Sequence, residues 1–393
     1  MKEPLLSTKK KIKFFADAKK SYKKLRKHLN KQPVGYSATL TGIELRLLMD
    51  IFTTMEAEAA LALNYKFETF ENIFTRASEK GFKKSEFCRL LESMEKKGCI
   101  FVKKNLGEKY YALHPFVIGM FEMQINRLTP SFFLDSHSYI LQAFAMEYLS
   151  TEVSQMRVIP INKSLNTTQN IATYDSIREI VDRTKDKIAI TQCICRYGRD
   201  LINDPCKRTD RREICMGFRD YSDTYSRHDW GRTISKKEAL EILDQNEKDG
   251  LILMGSTMQE PQYVCSCCGC CCGIMEILNF MPRPADFSAS NFYAQLDKES
   301  CNGCGKCVRR CQMDAIRFND VEKKATEIVS KRCIGCGLCV SSCKTHSISL
   351  QKKKVELVPP KDHDALYELI MQNKKGTFGK LWKMSKAVMG VKV

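Results

Sequence analysis

The chain has 393 residues, a hydrophobic content of 43%, 20 cysteines and a formal charge of +18. That length gives room for two to three domains with real apolar cores. A secreted disulfide framework is not expected, because Met1-Lys2-Glu3-Pro4 leads into lysines without an apolar stretch, and no apolar run reaches the ~18 residues of a membrane span. The expected setting is a reduced, oxygen-poor cytoplasm that keeps its cysteines for metal. The positive charge fits nucleic acid, an anionic membrane surface or an acidic redox partner.

Residues 1–36 form a basic arm. Phe15, Ala18, Tyr22, Leu25 and Leu29 fall at helical spacing within the lysine-rich stretch 9–31, which predicts an amphipathic helix with a basic outer face. In residues 37–126, Thr41 is placed to cap a helix over 42–64, and a second helix covers 67–79. Ser85 begins a third over 85–97, which Gly98 ends. Two short strands, 99–102 and 110–113, flank a turn at Asn105-Leu106-Gly107-Glu108. Three helices followed by a hairpin predict a winged-helix-like domain. On duplex DNA its third helix would bring Lys83, Lys84 and Arg89 to phosphates. The same helix carries Glu86, Glu92 and Glu95, which the phosphates would repel, so protein docking is the preferred reading. Cys88 and Cys99 read as buried small hydrophobes. Helices over 115–126 and 131–149 connect onward.

Residues 127–295 form a cysteine-rich middle domain. Residues 158–161 are strand-like and 174–183 helical. Residues 188–191 form a strand running into Cys193-Ile194-Cys195-Arg196, with Cys206 and Cys215 in a charged loop beyond. Ser235 and Glu238 open a helix that Gly250 stops, and residues 251–254 form a short strand. Then come Cys265, Cys267, Cys268, Cys270, Cys271 and Cys272, six cysteines in eight residues, leading into an apolar helix through Phe280. These ten thiols are candidate ligands for one or two further [4Fe–4S] clusters, two of which would use eight. Zinc or a redox-active dithiol is the alternative. Neighbours such as Cys267 and Cys268 point apart on a strand and are not expected to serve one iron. Arg196 is placed either to donate hydrogen bonds to thiolate or sulfide, or to form a surface ion pair.

Residues 296–352 carry the most specific pattern. Cys301, Cys304, Cys307 and Cys311 follow C-x2-C-x2-C-x3-C, and Cys333, Cys336, Cys339 and Cys343 repeat it 32 residues later. Gly303, Gly305 and Val308 are answered by Gly335, Gly337 and Val340. Three cysteines spaced by two residues wrap a [4Fe–4S] cube, and the fourth ligand comes from the other run. Cys301, Cys304, Cys307 and Cys343 are therefore assigned to one cluster, and Cys333, Cys336, Cys339 and Cys311 to the second. Zinc sites usually show two C-x2-C pairs instead. Residues 296–350 resemble a bacterial two-cluster ferredoxin, which implies two [4Fe–4S] clusters and one-electron transfer. That family usually carries Pro after the fourth cysteine of each run, where this chain has Gln312 and Lys344. The whole layout resembles a family of anaerobe proteins that join a winged-helix-like part, a dense Cys-Cys-x-Cys-Cys-Cys stretch and a two-cluster module. It implies electron transfer in anaerobic metabolism without giving a substrate.

Residues 353–393 form a basic tail. Asp362–Gln372 is a short helix, and Phe378, Leu381, Trp382, Val388 and Met389 share one face of a last one, with Lys380, Lys383 and Lys386 off it. This is the pattern of an amphipathic helix for an anionic membrane surface or an acidic groove, or of one folded back on its own core. The expectation is an α+β multidomain chain. It passes single electrons to a flavin- or metal-containing oxidoreductase as a component of it rather than as a self-contained enzyme, in the cytoplasm or at the inner face of the membrane. A reductase with chemistry at an unusual middle-domain cluster, and a redox-responsive DNA-binding regulator, are the alternatives.

Overall fold

The computed structural model describes residues 8–165, 171–185 and 187–393, with side chains of the first helix described from residue 19 onward. Met1–Glu147 and Tyr148–Val393 are separate compact units. In the first, α1 (Thr8–Lys31) buries Tyr22, Leu25 and Leu29. Phe15 and Ala18 lie outside the described side chains. The single helix expected over 42–64 is two, α2 (Ile43–Ile51) and α3 (Thr54–Ala59). Thr53 divides them because its extended backbone starts a capping box: its hydroxyl accepts from the Glu56 amide, and the Glu56 carboxylate accepts from the Thr53 amide at 2.7 Å. Left-handed Gly42, not Thr41, leads into α2.

A two-residue β1 (Glu68–Thr69) precedes α4 (Phe70–Ser78) and α5 (Lys84–Lys96). Gly98 ends α5 with φ 70°, and the Cys99 amide bonds back to the Met94 carbonyl. β2 (Ile100–Asn105) and β3 (Glu108–Leu113) pair around Leu106-Gly107, both at positive φ, the geometry of a tight hairpin. β1 pairs with β3 on its other side. Cys99 is buried as expected, but Cys88 is only half-buried. The helix expected from Pro115 does not form at once. Val117 and Ile118 are extended, and a 3-10 turn begins only at Glu122, whose carboxylate accepts from the Gly119 amide at 2.6 Å. α6 (Pro130–Tyr139) continues through a wide turn into α7 (Ala145–Ser150).

The second unit is built on one antiparallel sheet. Its first strand is β4 (Met156–Ile159), followed by α8 (Ile177–Arg183), β5 (Ile188–Gln192), α9 (Ile194–Leu201), β6 (Glu213–Phe218), α10 (Arg219–Arg227) and β7 (Gly231–Ile234). Then come α11 (Lys236–Lys248), β8 (Ile252–Ser256), β9 (Tyr263–Cys267) and α12 (Gly273–Phe280). The strand order is β4-β8-β9-β6-β5-β7. Cys215 therefore lies on β6, not in the charged loop expected for it.

Two small ladders complete the unit. β10 (Phe292–Leu296) and β13 (Ile348–Lys352) pair at its base, and α13 (Lys306–Arg310), β11 (Ile316–Asn319), β12 (Lys324–Ile328) and α14 (Leu338–Ser341) lie between them in sequence. The 32-residue repeat is visible in the backbone. Gly303 and Gly335, Gly305 and Gly337, and Asp314 and His346 are three pairs at that offset, all with positive φ. α15 (His363–Gln372) buries Leu366, Tyr367 and Ile370. α16 (Thr377–Val388) is docked by its lysine side: Lys380 and Lys383 are buried, and Lys383 donates to the Thr151 carbonyl at 3.0 Å. Phe378, Leu381, Trp382, Val388 and Met389 all face solvent. The lysines expected on the outer face are thus partly inside, and the apolar stripe is outside.

Candidate metal centres

In the duplicated module seven of the eight cysteines gather on one apolar interior, while Cys304 is exposed. Cys307 and Cys339 pack with Ala294, Ile316, Ala325 and Ile348, and Cys301, Cys311, Cys333 and Cys343 sit against the same core. Cys311, Cys333, Cys336 and Cys339, the set assigned to one cluster, line a single cavity floored by Ala294, Ile316 and Leu338. Cys343 is near enough to Cys307 of the first run for their charges to interact. Backbone amides already point at sulfur: Ala294 donates to Cys333 at 3.4 Å and Ala315 to Cys311 at 3.3 Å. Such bonds stabilise added negative charge on a thiolate-held centre. The glycines are needed for close approach. A Cβ on Gly303 would sit 1.7 Å from the Lys323 carbonyl oxygen, and one on Gly337 2.1 Å from Ser164 Oγ. Thiols, amide donors and an apolar wall are the surroundings an iron–sulfur cube requires, so the residues present fit that group.

The ten middle thiols separate into two groups. Six form a closed ring in which each interacts with two others, in the order Cys193, Cys195, Cys272, Cys267, Cys265, Cys215 and back to Cys193. The sheet explains the ring. Thr191 on β5 pairs with Cys215 on β6, and one step past the Met216–Val264 pair brings Cys215 beside Cys265 on β9. Cys265 and Cys267 are two residues apart on β9 and share a face. Cys193 and Cys272 each immediately precede a helix, α9 and α12, whose first-turn amides favour negative charge. Hydrogen bonds from neighbouring thiols hold Cys193 and Cys272 well below the usual thiol range, while Cys195 and Cys267 are pushed up.

The other four are Cys206, Cys268, Cys270 and Cys271, whose sulfurs all lie within 4.8 Å of one another. Cys206 comes from the loop after α9, and the other three from the turn between β9 and α12. Cys267 and Cys268 thus go to different groups, whereas the neighbours Cys270 and Cys271 share one. Arg196 is fully buried and holds this group: its Nε donates to Cys206 at 3.3 Å, Nη2 to Cys268 at 3.2 Å and Nη1 to the Ser266 carbonyl at 2.8 Å. The surface ion pair is therefore ruled out for Arg196.

Two supports escaped the sequence reading. Gln312, where a ferredoxin usually has Pro, accepts from the Gly269 amide at 2.7 Å and donates to the Gly250 carbonyl at 2.5 Å. It ties the turn between Cys268 and Cys270 to the residue after Cys311, a bond that Pro has no side-chain group to make. Arg211 and Arg212 pin the loop of Cys206, through Asp249 at 2.7 Å and Asp200 at 2.5 Å. The signal available was the departure at position 312 itself, and the two arginines just before β6.

Residues 294–350 match the family described as a 4Fe-4S dicluster domain. No curated protein and no solved structure matches the chain. The C-terminal part of the second unit is thus a 4Fe-4S ferredoxin-like module, and the chain binds iron–sulfur clusters through it.

Proposed function

We propose that this protein passes single electrons through the two four-cysteine sites of its C-terminal module, and through a further [4Fe–4S] cluster on the six-thiol ring, to a flavin- or metal-containing oxidoreductase. The observation that carries this reading is the gathering of seven of the eight duplicated cysteines on one apolar interior, with Cys304 at its exposed edge. A bound [4Fe–4S] cube takes up or releases one electron at a time. In our assignment Cys301, Cys304, Cys307 and Cys343 hold one cube and Cys333, Cys336, Cys339 and Cys311 the other. The apolar wall of the second site would shield a cube there from water, and the Ala294 and Ala315 amides, which donate to Cys333 and Cys311, would favour its reduced state. Cys304 is exposed, as are Lys306, Arg309 and Lys344 nearby in the module. Electrons then enter or leave at the first site, beside a basic surface suited to an acidic partner. In protein purified without oxygen, at least eight irons and eight acid-labile sulfides per chain are expected, with paired cluster signals in the EPR of the reduced form. About four more of each accompany a loaded ring. Fewer than four irons after anaerobic reconstitution would overturn the reading.

The helices and hairpin of the first unit suit a winged-helix arrangement used for docking a protein. The exposed Glu92 on α5, and the ion pair that occupies Lys84 with Glu71 at 2.7 Å, disfavour DNA phosphates. Among the described residues no helix is long and apolar enough to cross a membrane. We assign α16 to an anionic membrane surface instead. Its apolar stripe is already outward, and lysine is the only charged residue type after Glu368. Phe378→Ser and Trp382→Ser are each expected to weaken binding to phosphatidylserine-containing vesicles by about tenfold, from the lost burial of one aromatic side chain. Equal binding by wild type and the double variant in a sedimentation assay would remove the membrane from the proposal.

A further inference from the structure

The quartet in the middle of the second unit has the wrong dimensions for a cube and the right ones for a single ion. Its sulfur–sulfur separations are 3.8 Å for Cys206–Cys268, 3.9 Å for Cys206–Cys270, 3.5 Å for Cys268–Cys270 and 3.7 Å for Cys270–Cys271. A tetrahedral ion with metal–sulfur bonds of about 2.3 Å places its four sulfurs about 3.8 Å apart, from the geometry of the tetrahedron alone. A cube spreads its four thiolates over four irons and separates them much further. Among the described residues no other three metal-ligating groups come so close together.

Burial and charge point the same way. Cys268 is fully buried, and Cys206 and Cys271 nearly so. Four thiolates around a divalent ion carry a net charge of −2. The buried Arg196 guanidinium, on two of the four sulfurs, offsets half of it. The Gln312 bond to Gly269 fixes the turn that presents Cys268, Cys270 and Cys271 in this geometry.

We propose that Cys206, Cys268, Cys270 and Cys271 bind one divalent ion, zinc or ferrous iron, as a mononuclear tetrathiolate centre separate from the iron–sulfur clusters. Binding displaces the thiol protons to solvent, with no change of oxidation state. The inference does not rest on the electron-transfer reading, since it concerns dimensions and charge at a different set of residues.

The test is metal and sulfide analysis of the full chain purified without oxygen. Cubes contribute iron and acid-labile sulfide in equal amounts. The expected result is one additional ion per chain, either one zinc or one iron in excess of sulfide; the two outcomes distinguish the metals, and both support the site. Iron equal to sulfide with no zinc would overturn it. Cys270→Ala, at the half-buried corner, is expected to lose that ion and leave sulfide unchanged, whereas a fall of about four sulfides would reveal a cube and overturn the proposal. If that variant does not fold, Co2+ exchanged into the wild-type chain gives the same decision. Intense thiolate-to-cobalt and tetrahedral ligand-field bands support the site, and weak octahedral bands overturn it.

Discussion

A chain carrying both Cys301→Ala and Cys343→Ala is expected to lose about four irons, no more than either substitution alone, because the proposed assignment puts both thiols on one cube. Cys333→Ala with Cys343→Ala is expected to lose about eight, because the proposed assignment puts those thiols on different cubes even though they lie in the same run. The reasoning is that of a double-mutant comparison: two ligands of one centre cannot be lost twice, and two ligands of separate centres add. Iron and sulfide analysis with EPR on the four variants reads the result. Were each run to hold its own cube, the pattern would reverse: the Cys301/Cys343 pair would cost eight and the Cys333/Cys343 pair four. Because metal binding and folding are one equilibrium in a module this small, variants that lose iron are also expected to lose thermal stability.

Arg196→Leu is expected to destabilise the second unit by about 3–5 kcal/mol, the usual cost of leaving a buried charge without its counter-charge. Arg196 donates three hydrogen bonds, two to thiol sulfur and one to a backbone carbonyl on β9, from a position with 1% exposure. Leucine would fill part of the volume but leave the sulfurs of Cys206 and Cys268 without a cation. Arg196→Lys keeps the charge and loses the fork, and should recover only part of the stability. Denaturant unfolding of the metal-loaded protein under nitrogen checks this. An unchanged midpoint in the leucine variant would show that the guanidinium balances no charge there.

What was legible in the sequence follows from how local each feature is. The duplicated cysteine runs are written in contiguous spacing, and the α5–Gly98–hairpin succession in capping and turn chemistry, so both could be read directly. The break between α2 and α3 was also written, as Thr53 and Glu56, but an apolar run across it hid the capping box. The sorting of the ten middle thiols was not legible. It depends on β9 pairing with β6, and on a charged loop pinned by Arg211 and Arg212, contacts between residues far apart in the chain. Only the strand period left a trace, separating Cys267 from Cys268. The outward apolar face of α16 was legible as a stripe, but which side would dock was decided by Thr151 and Glu152, more than 220 residues earlier in the chain.

The strand order also sets a schedule for maturation. The ligands of the C-terminal module all fall within residues 301–343, so that module can close around its clusters through short loops. The ring of Cys193, Cys195, Cys215, Cys265, Cys267 and Cys272 exists only once β9 has slotted between β8 and β6. Closure of such distant pairings is slow. If the ring takes up a cluster as proposed, a cell short of iron is expected to accumulate chains whose last-made part is filled first, while the thiols of the older part stay unmetallated and open to oxidation. On the proposed assignment, the ring in the middle of the chain is the last metal site to close, after the module at residues 301–343.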